Sequence, residues 1–185
     1  LVNEARFKIT KNAIELVAMD PANVAMVVFK LLSSIFVEYD VKEDTELSIN
    51  LSNLKQVLRR VKPNDMLSLE LAENKLKIIL DGTSRRTFLL PIIELEEKEQ
   101  KVPELNFPVT ISAPASMLND AIEDVDIIGE SVSFMVEGNK LTISAESDLS
   151  EANIAIGESD DVKIINENGD KVKAKYSIEY LKKMI

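Results

Sequence analysis

With 185 residues, 45% of them hydrophobic, the chain has room for one large domain or two ordinary ones built around real cores. It contains neither Cys nor His, which removes disulfides, thiol catalysis, imidazole acid/base relays and the usual zinc site. A formal net charge of −10 excludes a protein that coats nucleic acid with its whole surface, yet leaves room for a basic patch on one face.

No run is apolar enough to cross a bilayer, and the first residues lack the pattern of a secretory leader, so a soluble protein is expected. Charge carried by Lys and Glu, with no Cys and no Trp, leans toward a thermophile.

Along the chain a structural unit recurs about every 60 to 65 residues. Its turn-and-strand half is written three times, as Lys11-Asn12-Ala13-Ile14, Glu73-Asn74-Lys75-Leu76 and Gly138-Asn139-Lys140-Leu141. Its other half is a short strand running into a helix, at Leu47 to Val61, Val109 to Val125 and Val172 to Ile185.

The first elements read as a meander: strands over Ala5 to Thr10 and Ala13 to Met19, then a turn at Asp20-Pro21-Ala22-Asn23, then a strand over Val24 to Leu31. In that turn Pro21 fixes the backbone and Asp20 is placed to accept from the amides that follow. Thr45 to Asn50 predicts a strand. Ser52 is read as the N-cap of a helix whose apolar stripe, Leu51, Leu54, Leu58 and Val61, is core and runs until Pro63. Strands over Met66 to Leu71, Leu76 to Leu80 and Arg86 to Leu90 close the first complete unit.

From Ile92 to Asn106 the periodicity lapses into acidic residues and Val102-Pro103, which reads as a linker. The expected division is therefore a first domain at 1–91, a linker at 92–106 and a second domain at 107–185. The second begins with a strand from Phe107 to Ser112 and a helix near Ser116 to Ile127. Strands near Ser131 to Glu137, Lys140 to Glu146 and Glu151 to Ile156 follow. Two further strands, Val162 to Ile165 and Lys171 to Tyr176, lead into a helix near Ser177. Tandem β-α-β-β-β units of this kind predict an α+β protein with helices on one side of antiparallel sheets.

Lys55, Arg59 and Lys62 recur at helical spacing away from the leucine stripe, with Arg60 beside them and no carboxylate among them. A solvated helix surface explains such a cluster equally well. In so acidic a chain, however, the local excess of cations suits phosphate contacts without base reading. The equivalent second-domain helix carries Asn119, Asp120, Glu123, Asp124 and Asp126 instead, which give no attraction to phosphate. The acidic pairs lack the further oxygen ligands of a calcium loop, the five glycines form no phosphate-cradling cluster, and no nucleophile is paired with a base. No metal, no cofactor and no catalytic residue is expected. By count alone, Met19, Val24, Met26, Val102, Pro103 and Phe107 read as core.

Several segments together, Leu1-Val2-Asn3-Glu4-Ala5, Ala18-Met19-Asp20-Pro21-Ala22-Asn23-Val24, Leu32-Ser33-Ser34-Ile35-Phe36, Leu54 to Arg60, Arg86-Thr87-Phe88 and Val102-Pro103-Glu104-Leu105, resemble the proliferating cell nuclear antigen family of sliding clamps in its archaeal form. The resemblance covers essentially the whole chain. It implies the DNA clamp, or processivity, fold: two similar domains per subunit in a homotrimeric ring, helices lining a hole around duplex DNA and sheets outside. The activity it implies is not enzymatic. Such a ring tethers the replicative DNA polymerase and other replication and repair factors, in the archaeal cytoplasm and associated with the chromosome.

The resemblance further implies that Lys55, Arg59, Arg60, Lys62, Lys182 and Lys183 face DNA. Met19, Asn23, Val24, Met26, Val102, Pro103 and Phe107 become the pocket for short peptide motifs of polymerase, flap endonuclease, ligase and clamp loader, which reverses the core reading for several of them. Arg85, Arg86, Thr87, Phe88 and Leu89 of one subunit are expected to meet Leu149, Ala152, Asn153 and Ile154 of the next. Relative to the family, the first strand and helix would precede Leu1 and the closing strands and tail would follow Ile185, about a quarter of a subunit. The alternative from another class is a peptide-binding interaction module of a truncated or checkpoint-type clamp that does not encircle DNA.

Overall fold

The computed structural model describes residues 1–95 and 100–185, which divide into two compact units, Leu1–Pro103 and Glu104–Ile185. Of the segment 92–106, the described residues form no helix or strand, and the acidic run 96–99 lies outside the described residues. Among the described residues no helix is long and apolar enough to cross a membrane.

Unit 1 starts with strands β1 (Glu4–Ile9), β2 (Ala13–Met19) and β3 (Met26–Leu32), then a single 3₁₀ turn at Ser33–Ile35 and strand β4 (Thr45–Asn50). All four pair antiparallel in the order β3-β2-β1-β4. Helix α1 (Leu51–Leu58) leaves β4 directly and leads to strands β5 (Met66–Ala72), β6 (Lys75–Asp81) and β7 (Arg85–Pro91), a second antiparallel sheet in that order.

Unit 2 runs β8 (Val109–Ser112), α2 (Ala115–Asp126), β9 (Ser131–Glu137), β10 (Lys140–Glu146), β11 (Glu151–Gly157), β12 (Lys163–Asn166), β13 (Val172–Ser177) and α3 (Ile178–Lys182). Its main sheet, β11-β10-β9-β13, has the order and antiparallel pairing of β3-β2-β1-β4, with α3 following β13 as α1 follows β4. The repeat read in the sequence is thus a repeat of topology.

Each core lies between helix and sheet. In unit 1, Leu47, Ile49, Val57, Leu76, Ile78 and Leu80 are buried together, with Leu51 and Leu54 packed against them. In unit 2, Ile122 and Val125 of α2 meet Val132, Leu141, Ile143 and Ile178. Strand β10 shows why a strand forms here: Leu141, Ile143 and Ala145 alternate inward while Lys140 and Glu146 at its ends are exposed.

Three expectations for α1 need correction. Its N-cap is Asn50, whose Oδ1 accepts from the Asn53 amide at 3.0 Å; Ser52 lies inside the helix. The helix stops at Leu58, five residues before Pro63. The chain there tightens through Arg60 N to Val57 O and Val61 N to Leu58 O, and Lys62 precedes a proline that disfavours helical backbone. The stripe also shifts, because Val57 is the helix residue that is buried, whereas Leu58 and Val61 are 40% and 37% exposed. Two strands also begin two residues later than expected: β3 at Met26, leaving Val24 in the turn, and β8 at Val109, leaving Phe107 outside it.

The hairpins β5–β6 and β9–β10 close through two-residue loops, and each loop opens on a residue with positive φ: 51° at Glu73 and 58° at Gly138. Glycine adopts that backbone without a Cβ penalty and glutamate does not. Denaturant unfolding should therefore show Glu73→Gly raising stability by about 0.5 to 1 kcal/mol and Gly138→Ala lowering it by about 1 to 2 kcal/mol.

Candidate functional site

The three cations expected to share one helix face, and Arg60 beside them, do not all lie on a helix. Lys55 is in α1, Arg59 is its C-cap, and Arg60 and Lys62 lie in the loop that follows. All four are exposed, and among the described residues none of these side chains takes part in an ion pair. Asp65 shapes the loop. Its Oδ2 accepts from the Lys62 amide at 2.9 Å and pairs with Arg86 Nη2, while Arg86 Nη1 donates to the Arg60 carbonyl at 2.9 Å. Gly82 leaves the space Asp65 needs, since a Cβ there would lie 2.2 Å from Asp65 Oδ1. Asp81-Gly82 reads as a turn between strands, but no sequence pattern links Gly82 to Asp65, whose only signal is that it follows Pro63 at a turn.

Lys182 and Lys183 are differently placed. Lys182 reaches Asp126 at 2.7 Å and Glu123 at 3.3 Å on α2, and these bonds hold its ammonium above the usual lysine range. Lys183 pairs with Glu179 at 2.6 Å one turn away, holding that carboxyl below its ordinary range, and its ammonium lies 5.7 Å from the Tyr180 ring centre. Their charges are thus largely satisfied within unit 2.

The turn between β2 and β3 is built on Asp20, which is 3% exposed. One carboxylate oxygen accepts from Ala22 N at 3.0 Å and the other from Val24 N and Ala25 N, both at 2.7 Å. The turn also closes through Asp20 N to Ala25 O, and Asn23 takes a φ of 56°. This locks Val24 outward, 67% exposed, with Asn23 exposed beside it and Met19 opposite Met26 half-buried at the strand ends. Val102 and Pro103 are exposed in unit 1, as is Phe107 in unit 2. Val24, Val102 and Phe107 thus stand outside the cores that count alone assigned to them.

Strands β7 and β11, seven residues each, are end strands of their sheets. Their side chains alternate. Arg85, Thr87 and Leu89 are exposed on β7, and Asn153 is exposed on β11. Phe88, Ala152 and Ile154 pack on their own cores, so their outward offering is backbone. Arg86 turns inward to Asp65, and Leu149, 96% exposed, stands in the loop before β11.

Residues 1–97 match the N-terminal domain of proliferating cell nuclear antigen, and the full chain aligns at 35% identity with 75% of the "DNA polymerase sliding clamp" of Pyrococcus furiosus. The chain belongs to the proliferating cell nuclear antigen family. The sliding clamp of Nanoarchaeum equitans is 33% identical over 99% of this chain and 75% of its own length. The crystal structure of PCNA from Thermococcus kodakaraensis superposes with a TM-score of 0.90 at 28% identity, covering 97% of this chain and 74% of that one. A PCNA2–PCNA3 complex from Sulfolobus tokodaii gives 0.85 at 30% identity over 97% of this chain and 74% of that one. The clamp fold of the family is therefore the fold of this chain. The turn at Asp20, which the family resemblance singled out, is a pre-set scaffold. Asp20→Ala should lower stability by about 2 to 4 kcal/mol in denaturant unfolding, with Asp20→Asn between the variant and the parent.

Proposed function

We propose that this chain is the subunit of a DNA sliding clamp, a non-catalytic ring that encircles duplex DNA and tethers the replicative polymerase and other replication and repair factors along the chromosome. The observation that carries this reading is the exposed, carboxylate-free run of cations from Lys55 to Lys62 in a family member whose net charge is −10. Few phosphate contacts and no base readers give weak, sequence-independent, salt-sensitive attraction, which suits a protein held on DNA by topology and free to slide.

In this reading 1–91 and 107–185 are the two clamp domains and 92–106 is their connector. Lys55, Arg59, Arg60 and Lys62 supply most of the attraction to phosphate, and Lys182 and Lys183 add little because their charges are already paired. Met19, Asn23, Val24, Met26, Val102, Pro103 and Phe107 receive short peptide motifs of polymerase, flap endonuclease, ligase and clamp loader, anchored by aromatic and aliphatic side chains.

Subunits join as a trimer through backbone pairing of β7 with the neighbour's β11, around Arg85 to Leu89 and Leu149 to Ile154. Matched strand lengths support this, and so does charge. The cationic loop is tied to β7 by Arg86, whereas α2, which packs on β11, presents Asp120 and Asp124. A head-to-tail join of these edges brings opposite charges together, which gives the acidic helix a role that phosphate binding does not.

A loaded ring should stay on closed circular DNA and leave a linearised molecule; equal loss from both overturns encirclement. Reversing charge at Lys55, Arg59 and Lys62 should abolish DNA-dependent polymerase stimulation and flatten the salt dependence of DNA affinity by about three logarithmic units per decade, with peptide binding intact. For the subunit edge, Leu89→Lys should shift native mass spectra from trimer toward monomer, and an unchanged trimer would count against β7 as the joining strand.

A further inference from the structure

The start of the connector is tied to unit 1 by an arginine that no reading of the sequence singled out. Ile92 N donates to Asn74 O at 3.1 Å and Ile93 N to Ser48 O at 2.8 Å, so the chain leaving β7 runs past β4. Two residues on, Arg6 of β1 reaches over β4 and donates from Nη2 to the Leu95 carbonyl at 2.6 Å. Its Nη1 lies 3.6 Å from Glu46 Oε2, also on β4, which steadies the guanidinium from the other side. Arg6 pairs in register with Ser48, which is 6% exposed even though its neighbours Leu47 and Ile49 fill the core on the opposite face. The face carrying Arg6 is therefore covered where the connector passes.

That face also leads to the turn that holds Val24. Lys8 stands opposite Glu15, and Glu15 opposite Lys30, with a 2.5 Å ion pair that holds the Glu15 carboxyl below the usual range. Alternation from this charged row puts Arg6 on the same side of β1 as Lys8, and Val17 and Met19 on the same side of β2 as Glu15. Val28 and Met26 stand opposite those two on β3. One sheet face thus carries a charged row, an arginine gripping the connector, and four apolar residues of which two, Met19 and Met26, are expected to receive a peptide.

We propose that Arg6 is a positioning residue for partner-peptide docking, holding the connector at Leu95 against the sheet whose face bears Val17, Met19, Met26 and Val28. This rests on the peptide-binding reading above. Two donors of a planar fork, one on a carbonyl and one toward a carboxylate, fix direction as well as distance, which a flexible ammonium does not. A connector fixed before the peptide arrives loses less freedom on binding, so the clamp raises affinity without touching the ligand.

The test uses the whole chain and a labelled synthetic peptide carrying one aliphatic and one aromatic anchor with lysine flanks, chosen to match Glu94 and Glu104 of the connector. Arg6→Met keeps much of the stem's packing and removes the fork. Expected are a peptide affinity lower by about threefold to tenfold, amide exchange at Ile93 faster by about tenfold, and unchanged thermal unfolding and stoichiometry. Arg6→Lys should fall between parent and Arg6→Met. Unchanged affinity overturns the proposal whether or not exchange rises, and so does an affinity loss matched by a general loss of stability. Val24→Glu serves as control: if it abolishes peptide binding while Arg6→Met does nothing, only this proposal fails, and if neither matters, the peptide-binding reading itself fails.

Discussion

The end strand of a sheet leaves a row of backbone N–H and C=O groups with no partner in its own sheet, and a protein must cover, blunt or use that row. Strands β7 and β11 are blunted only at their ends, by Arg85, Arg86 and Pro91 on β7 and by Glu151 on β11, and their middles stay regular. Each runs seven residues, alternates regularly, and sends its larger side chains back into its own core. What remains outward is regular backbone flanked by Arg85, Thr87 and Leu89 on β7 and by Asn153 on β11. In the proposed subunit join that geometry favours backbone pairing over burial of side chains, so register is its main constraint. A closed ring is the assembly in which such edges satisfy one another without propagating into fibres.

Charge is distributed to match. Most of the described cations with a recorded partner stand beside a carboxylate, as in Lys30 with Glu15, Lys77 with Glu70 and Lys182 with Asp126. Four exposed cations stand close together in and after α1, where the local carboxylate, Asp65, has a nearly buried side chain already engaged with Arg86 and the Lys62 amide. In the proposed function, a net-acidic surface gives a polyanion little attraction, and this short cluster, its loop held from behind by Asp65, supplies it.

How far the residues alone reveal this depends on distance along the chain. Hairpins, whose partners lie a few residues apart, are legible: the three turn-and-strand segments become β1–β2, β5–β6 and β9–β10 with registers continuous with their alternation. Capping is less so, because Asn50 and Ser52 are both good caps and the choice falls to where β4 ends. The end of α1 is obscured because Val61 continues the apolar spacing of Leu54 and Leu58 after the backbone has left the helix. Side-chain direction on β7 and β11 follows from period two, and a segment named as an interface hides it, since only every other residue faces out. Least legible are Asp65, Gly82 and Arg6. Their roles depend on partners 21, 17 and 89 residues away, between Asp65 and Arg86, Gly82 and Asp65, and Arg6 and Leu95.

The contact between Gly82 and Asp65 has a consequence for how variation in this chain is interpreted. A methyl group added at Gly82 displaces a carboxylate whose Oδ2 holds both the Lys62 amide and Arg86, and the displacement passes to Arg60 and Lys62 without any change in charge. Under the proposed function, a mutational scan scored on DNA retention would rank this glycine, on the hairpin between β6 and β7, beside the lysines and arginines. Its neutral, uncharged substitutions would mimic the loss of a cation, and a second change that shortens or releases the Asp65 side chain would suppress them.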